Sequence, residues 1–225
     1  MSILSRFRLA GRRFADETRG SMPIEGVIAS IFVLWWYVAS FQIFNAFQQK
    51  NTNLKGAYTI ADIISRQPEG TPVDAAYIEG LNTVFQYITR ATQPTWLRVS
   101  SVIWNDADAE NKVAWSYGTG AMLGYDDTTL QTKANRIPTM PEGDSIILVE
   151  TFMDYQPMFN VGINAQWYRT FIATRPRFAS CVAYDKHDGS TPACIYDASI
   201  DSSNNSHSDQ TNADAPSDID IPPIN

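Results

Sequence analysis

The pattern of hydrophobic and polar positions begins with an apolar segment near the N-terminus. From Gly26 to Phe47 the chain runs for 22 residues without a charged side chain. As a helix this run is roughly 33 Å long, enough to cross the hydrocarbon core of a bilayer. It is apolar on every side, which is typical of a helix embedded in lipid or in a helical bundle. We therefore predict a transmembrane span at about 24–47.

The helical pattern continues beyond the span, but with only one apolar face. Apolar residues recur there at spacings of three and four: Leu54, Ala57, Tyr58, Ala61 and Ile64. This spacing predicts an amphipathic helix. Pro68, Gly70 and Pro72 then end it. We predict one long helix over 21–66, whose second half must pack on a domain.

The pattern over 71–197 predicts that domain. The stretch Thr71–Asp74 offers an N-cap, with a proline at the first helical position and an acid in the first turn. An amphipathic helix follows, to about Ala91. Strand-like patterns cover 96–104, 112–117 and 145–155. The intervening loop, 118–143, is long enough to be either a functional surface or merely irregular.

The rest of the domain is less regular. A short irregular or helical piece is expected around 157–168, leading into 170–174. Beyond it, residues 198–225 contain five aspartates, no lysine or arginine and no aromatic residue. Such a segment buries too little apolar area to offset the entropy of ordering, so we predict a disordered acidic tail. The expected fold class is α+β, with the long transmembrane and amphipathic helix packed on a small antiparallel sheet.

Charge is distributed unevenly along the chain. Residues 1–20 carry five arginines against Asp16 and Glu17, a balance of +3, whereas the whole chain carries −7, which leaves −10 for the remainder. The positive-inside tendency then predicts a cytoplasmic N-terminus and an external body. An acidic body is also a poor candidate for binding nucleic acid.

Two cysteines suit an external, oxidising compartment. If Cys181 lies opposite Cys194 in an antiparallel hairpin, Asp185 pairs with Ser190. Residues 186–189 then form a four-residue loop, with Gly189 available for a positive φ. Directly opposed residues lie close enough for a disulfide, so we predict one between Cys181 and Cys194. Two free buried thiols are the alternative.

Other patterns indicate little chemistry. Asp106, Asp108 and Glu110 alternate as calcium ligands do, but they lack the glycine and distal glutamate of an EF-hand loop, so a solvated turn is the simpler interpretation. Gly118, Gly120 and Gly124 follow a predicted strand, as the glycines of a dinucleotide-binding loop do. The sequence shows no second βαβ unit, so a flexible loop is the simpler interpretation. With two histidines, both in predicted loop or tail, no catalytic constellation is expected. We predict neither an enzyme nor a bound cofactor or metal.

The most informative constellation stands just before the span. A basic leader ends at Gly20, small Ser21 follows, and Glu25 is the only acid between Gly20 and the apolar run. An acid at the edge of a span is costly unless it finds a partner. Cleavage between Gly20 and Ser21 would create one, because the new α-amino group is positive. In axially offset helices, Glu25 of one subunit can then neutralise the N-terminus of its neighbour.

At these residues the chain resembles prepilins of the type IV pilin superfamily, whose leader a membrane aspartyl peptidase removes after the glycine. Within it, the chain is similar to TadE-like or TadF-like minor pseudopilins of tight-adherence (Flp-type) pilus systems. The resemblance extends less specifically to Val149–Phe159 and to Arg175-Pro176-Arg177. It implies a pilin-like fold, processing by a prepilin peptidase, and a role in assembling a pilus for surface adhesion.

The implied partners are that peptidase, other pilins or pseudopilins, and the inner-membrane assembly platform of the Tad system. The implied location is the bacterial inner membrane, crossed once, with a periplasmic C-terminal domain, or the pilus itself. Two alternatives stay open. One is a periplasmic binding or adhesion module on an uncleaved signal anchor; the other, less favoured, is a secretory signal peptide ending near Ala39-Ser40.

Overall fold

A computed structural model describes residues 21–120, 122–159, 161–189 and 192, without the side chains of Ser21 and Met22. The leader, Cys194 and the acidic tail over 198–225 lie outside these residues. In chain order the elements are α1 (Ser21–Ser65), α2 (Ala75–Thr89), β1 (Thr95–Asn105), β2 (Glu110–Gly118), α3 (Asp127–Gln131), a 3₁₀ turn (Ala134–Arg136), β3 (Ser145–Tyr155) and β4 (Gln166–Thr174). The fold class is α+β, as predicted.

Helix α1 is one continuous helix of 45 residues. The described chain forms two compact units that divide within it. One contains α1 up to residue 45 together with 158–163, and the other contains 46–157 and the residues from 164 onward. Each unit is described by itself below.

The second unit is built on a four-stranded antiparallel sheet in the order β2-β1-β3-β4. Strand β3 has the bounds predicted from the sequence. Strand β4 begins at Gln166, so the irregular or helical piece expected to reach 168 is too long. The cause is pairing with β3, which places Tyr168 opposite Met153 and buries both side chains.

The C-terminal half of α1 packs on one face of this sheet. Its buried side chains recur at helical spacing: Asn53, Ala57, Ile60, Ala61 and Ile64. Asn53 Oδ1 accepts hydrogen bonds from the hydroxyls of Thr170, at 2.7 Å, and Thr151, at 3.4 Å. The amphipathic pattern over 54–64 therefore marks a real packing face, although Leu54 and Tyr58 lie on its exposed side.

The opposite face of the sheet is covered by the segment between β2 and β3. The sequence allowed this loop to be either a functional surface or merely irregular. In the structure it forms a third layer over the sheet. Its buried residues join strand residues in one apolar cluster: Val102, Val113, Tyr125, Leu130, Ile137, Met140, Ile146 and Leu148. Its glycines serve this packing. A Cβ on Gly118 would lie 2.2 Å from the carbonyl oxygen of Met122, and one on Gly124 would lie 2.7 Å from that of Ser116.

Helix α2 begins later than the predicted cap. Asp74 is its N-cap, and its Oδ1 accepts a hydrogen bond from the Tyr77 N–H at 2.7 Å. Thr71 and Pro72 lie before the helix because Val73 is held extended. Its N–H donates to the Ala183 carbonyl at 2.8 Å, and it forms a parallel bridge with Tyr184. The described part of the predicted cystine hairpin therefore pairs with the strand-like residue before α2.

Candidate functional site

The N-terminal half of α1 carries the predicted processing and assembly site. Ser21 is the first helical residue, and Gly20 lies outside the described residues. Glu25 is exposed, and it is the only charged residue between Pro23 and Gln49. Within the described part of the chain, no basic group lies at ion-pairing distance from its carboxylate. Any partner for Glu25 must therefore come from elsewhere.

The same half of α1 presents a wide apolar surface. Large side chains that are about half exposed or more follow its whole length, among them Ile28, Leu34, Trp36, Tyr37 and Phe44. The stretch Pro23–Ser65 is long and apolar enough to cross a membrane. This finding agrees with single-pass anchoring.

Some polar and aromatic side chains on this surface contact other residues of the same helix. The Ser30 hydroxyl donates to the Val27 carbonyl at 2.7 Å, so it does not add an unsatisfied group. The ring of Phe32 lies 6.2 Å from that of Trp35 and 6.5 Å from that of Trp36. An apolar surface of this extent, with backbone groups paired inside the helix, suits lipid or other helices.

A second charged site is buried within the sheet. Arg98 Nε donates to Glu150 Oε2 at 2.8 Å, and Arg169 Nη2 donates to Oε1 at 2.9 Å. The Tyr125 hydroxyl also donates to Oε2, at 2.8 Å. Arg98 further donates to the Leu123 carbonyl at 3.2 Å. The cluster therefore ties three strands to the segment that covers this face.

The charge states of this cluster follow from its partners. Burial alone would raise the pKa of Glu150, but Arg98 and Arg169 outweigh burial and hold that pKa below its ordinary value. Burial, then the neighbouring Glu150 charge, raises the pKa of Tyr125. Glu150 is thus an anion that accepts hydrogen bonds, and Tyr125 is a neutral donor. This arrangement fixes structure and offers no free acid or base.

Sequence reasoning missed this cluster. The available signal was that charged side chains stand at strand positions expected to be buried. Which of these side chains lie next to one another depends on how the strands pair. Only the pairing of Arg98 with Glu150 across β1 and β3, and the diagonal position of Arg169 on β4, brings them together. Hydrophobic alternation shows which side chains of a strand share a face, but the exact pairing between strands also depends on the geometry of the turns that join them.

The Arg175-Pro176-Arg177 segment contacts the C-terminal end of α1. The Arg177 N–H donates to the Ser65 carbonyl at 2.7 Å, which satisfies one of the carbonyls left open at a helix C-terminus. The Arg177 guanidinium also lies 3.2 Å from the Asp62 carboxylate, and Arg175 lies 2.9 Å from that of Asp144. These exposed pairs add little stability, so the backbone bond is the more informative contact.

Residues 183–187 lie against the start of α2. His187 Nε2 is 2.9 Å from Asp74 Oδ2, and its Nδ1 is 3.4 Å from Asp185 Oδ2. The hydrogen bond to Asp74 raises the pKa of His187, and the same bond lowers the pKa of Asp74. Because His187 is exposed, this is a local clasp and not a buried catalytic pair.

The remaining predicted sites have a mixed outcome. Cys181 is disulfide-bonded, while its predicted partner Cys194 lies outside the described residues, so the pairing stays a prediction. Asp108 and Glu110 lie 3.4 and 3.7 Å from the Lys112 ammonium, and Asp106 accepts a hydrogen bond from the Trp104 indole. Among the described residues no cluster of histidine, cysteine, aspartate and glutamate is arranged to hold a metal.

Comparison with known proteins adds no relative. No family model, no curated protein and no solved structure matches this chain.

Proposed function

We propose that this chain is a minor pilin or pseudopilin that is cleaved between Gly20 and Ser21 and takes part in assembling a tight-adherence pilus for surface adhesion. The observation that carries the proposal is Glu25. It is a single exposed carboxylate, five residues after Gly20, at the start of a 45-residue helix. The packing of the described body does not account for an acid there, because Glu25 is exposed.

The arrangement around Glu25 supports this function. The first half of α1 exposes apolar side chains along its length, and the second half packs on a small antiparallel sheet. A subunit of this kind has one part available for other helices in a bilayer and one part with a buried core of its own. Helix packing and the Glu25 contact would dock the subunit, and the periplasmic body would determine which subunits fit beside it.

Cleavage gives Glu25 its partner. The new α-amino group of Ser21 would be positive at neutral pH, since such groups have an ordinary pKa of about 7.7–8.0. In a low-dielectric environment, a carboxylate on one helix and an amine on its neighbour attract strongly, and each removes the cost of leaving the other uncompensated. The partners are therefore the prepilin peptidase first, then other pilins and the inner-membrane Tad platform.

The test is pilus assembly in a strain that lacks the gene and carries it on a plasmid. With Glu25→Ala we expect normal removal of residues 1–20 and loss of assembled pili, because the amine of the adjoining subunit loses its counter-charge. Glu69→Ala is the matched control, since Glu69 is an exposed glutamate just beyond the end of α1. Normal pili from the Glu25→Ala chain would remove the role assigned to this carboxylate.

A further inference from the structure

A short apolar loop belongs to the same compact unit as the first half of α1. This loop, Met158, Phe159 and residues 161–163, joins β3 to β4 and groups with α1 up to residue 45. Met158 is 69% exposed and Phe159 is 45% exposed. They belong to the same unit as the many exposed apolar side chains of the first half of α1, and extended exposed apolar surface marks an interaction site.

The loop is attached to α1 at Gln42. The Phe159 N–H donates to Gln42 Oε1 at 3.3 Å, and the Gln42 side chain is fully buried. Gln42 is a polar residue inside the apolar run, where a carboxamide is costly unless it is hydrogen-bonded. The contact with the loop thus helps explain why an amide is tolerated at this position in the helix.

Gln42 also fixes the level of the loop along the helix. It lies five residues before Phe47, the last apolar residue of the predicted span, which corresponds to about 8 Å along the helix axis. Gln48, Gln49 and Lys50 follow, so the polar boundary is close. The loop therefore lies level with the outermost part of the predicted span, where acyl chains meet lipid headgroups.

The composition of the loop suits that level. Asp154 and Arg169 are the nearest charged residues on either side, so residues 155–168 contain no charge. Interfacial membrane contacts bury apolar side chains about 5–10 Å into the boundary between headgroups and acyl chains. A charged loop at this level would be expelled toward water, whereas a loop carrying Met158 and Phe159 is stabilised by lipid.

We propose that this loop is a second membrane contact, which inserts Met158 and Phe159 into the outer interface of the lipid bilayer beside α1. The inference rests on the membrane span that is part of the proposed function. Lipid is favoured over a protein partner because the loop is tied to the span, lies level with its end and lacks charges that would select a partner. The contact would limit the tilt and rotation of α1 in the bilayer.

The test uses three phenylalanines of the full-length chain in phospholipid nanodiscs. Each is replaced singly by p-acetylphenylalanine and coupled to a nitroxide: Phe159 in the loop, Phe44 in the span, and Phe178 in the body. Phe44 is 67% exposed and Phe178 is 63% exposed, so all three positions accept the label on the surface. The measurement compares relaxation of each nitroxide by oxygen, which concentrates in lipid, with relaxation by a water-soluble nickel chelate.

We expect the label at 159 to be relaxed more by oxygen than by nickel, with a ratio close to that at 44, which lies two residues from Gln42 on the same helix, and well above that at 178. Nickel relaxation at 159 equal to that at 178, while 44 remains protected, would overturn the loop contact and leave the span intact. Protection of 159 from both reagents would mean that protein covers the loop, which also overturns the proposal. Nickel access at 44 would remove the span, and the loop proposal with it.

Discussion

Glu25 and Glu150 lie in different compact units, and they differ in burial and in the charged groups around them. Glu150 is fully buried in the sheet and is held by Arg98, Arg169 and Tyr125. Glu25 is exposed on a helix whose neighbouring side chains are apolar, and the described residues offer it no ionic partner. The carboxylate of Glu150 is neutralised within the fold, whereas the carboxylate of Glu25 has no counter-charge among the described residues.

Apolar side chains follow the same division. In the second half of α1, successive turns bury Ala57, Ile60 and Ile64 against the sheet. In the first half, side chains as large as Trp36 remain more than half exposed. A chain that had only to fold would not carry both patterns on one helix. The comparison therefore indicates that the second half of α1 serves folding of the body, whereas the first half has the length and apolarity of a membrane span.

The sharpest test of this division compares Glu150→Ala with Glu25→Ala in the full-length protein in detergent micelles. Removing Glu150 leaves two buried arginines without their counter-charge, so we expect the free energy of unfolding of the body to fall by about 3–5 kcal/mol. Glu25→Ala should leave it unchanged. Tryptophan fluorescence during denaturation with urea gives both values.

The Glu150 cluster also predicts that the stability of the body depends on pH. Because the pKa of Glu150 is lowered in the folded protein, its stabilising contribution is complete above the ordinary value of 4.5 and is lost as the pH falls through the folded value. Equal unfolding midpoints for wild type and Glu150→Ala at neutral pH would contradict the structural role of the cluster.

Two glycines of α1 provide a second comparison. A Cβ at Gly56 would lie 3.0 Å from the ring of Phe85 and 3.3 Å from Thr89 Cγ2, whereas nothing lies within 4 Å of a Cβ at Gly26. Gly56→Leu should therefore force the two helices apart and cost about 1–3 kcal/mol. Gly26→Leu should cost the body nothing. Denaturation of both variants in the same micelles gives the difference, and equal losses would contradict the assigned packing.

The smallest expected effect concerns the clasp between His187 and Asp74. The raised pKa of His187 means that the clasp contributes fully below the ordinary histidine value of 6.5 and is lost as the pH rises through the folded value. At the acid end, the lowered pKa of Asp74 means that its contribution disappears only below 3.8. The residues from 183 to 187 should therefore be held best between these limits.

An NMR titration of the His187 ring gives this pKa directly. We expect a midpoint above 6.5, a larger decrease with Asp74→Asn than with Asp185→Asn, and no more than a small change in global stability. A midpoint at the ordinary value in the wild-type protein would contradict the contact.

The sequence was most informative where periodicity was long. The continuous helix and the strand over 145–155 follow from it, because hydrophobic spacing of 3.6 or 2 residues reflects one buried face. The predicted starts of α2 and β4 were wrong. The pairing of Val73 with Tyr184 delays the start of α2, and the pairing of Tyr168 with Met153 extends β4 toward its N-terminus. These pairings join residues distant in the chain and leave no local signal.

The candidate site divides in the same way. Glu25 stands out in the sequence because it is alone in an apolar stretch, and its isolation is visible without a structure. The cluster around Glu150 depends on register, and the role of Arg177 at the Ser65 carbonyl depends on a fold-level contact. The buried face of a helix was thus predictable, whereas the particular residue pairs that meet between elements were not.

We infer that in the mature protein the N-terminal half of α1 begins with a free amine at Ser21, which meets Glu25 of another subunit. The most direct measurement is the N-terminal sequence and intact mass of the protein extracted from native membranes, with and without the prepilin peptidase. We predict a chain that begins at Ser21 when the peptidase is present and at Met1 when it is absent. A chain that begins at Met1 in both would contradict the account and favour an uncleaved anchor.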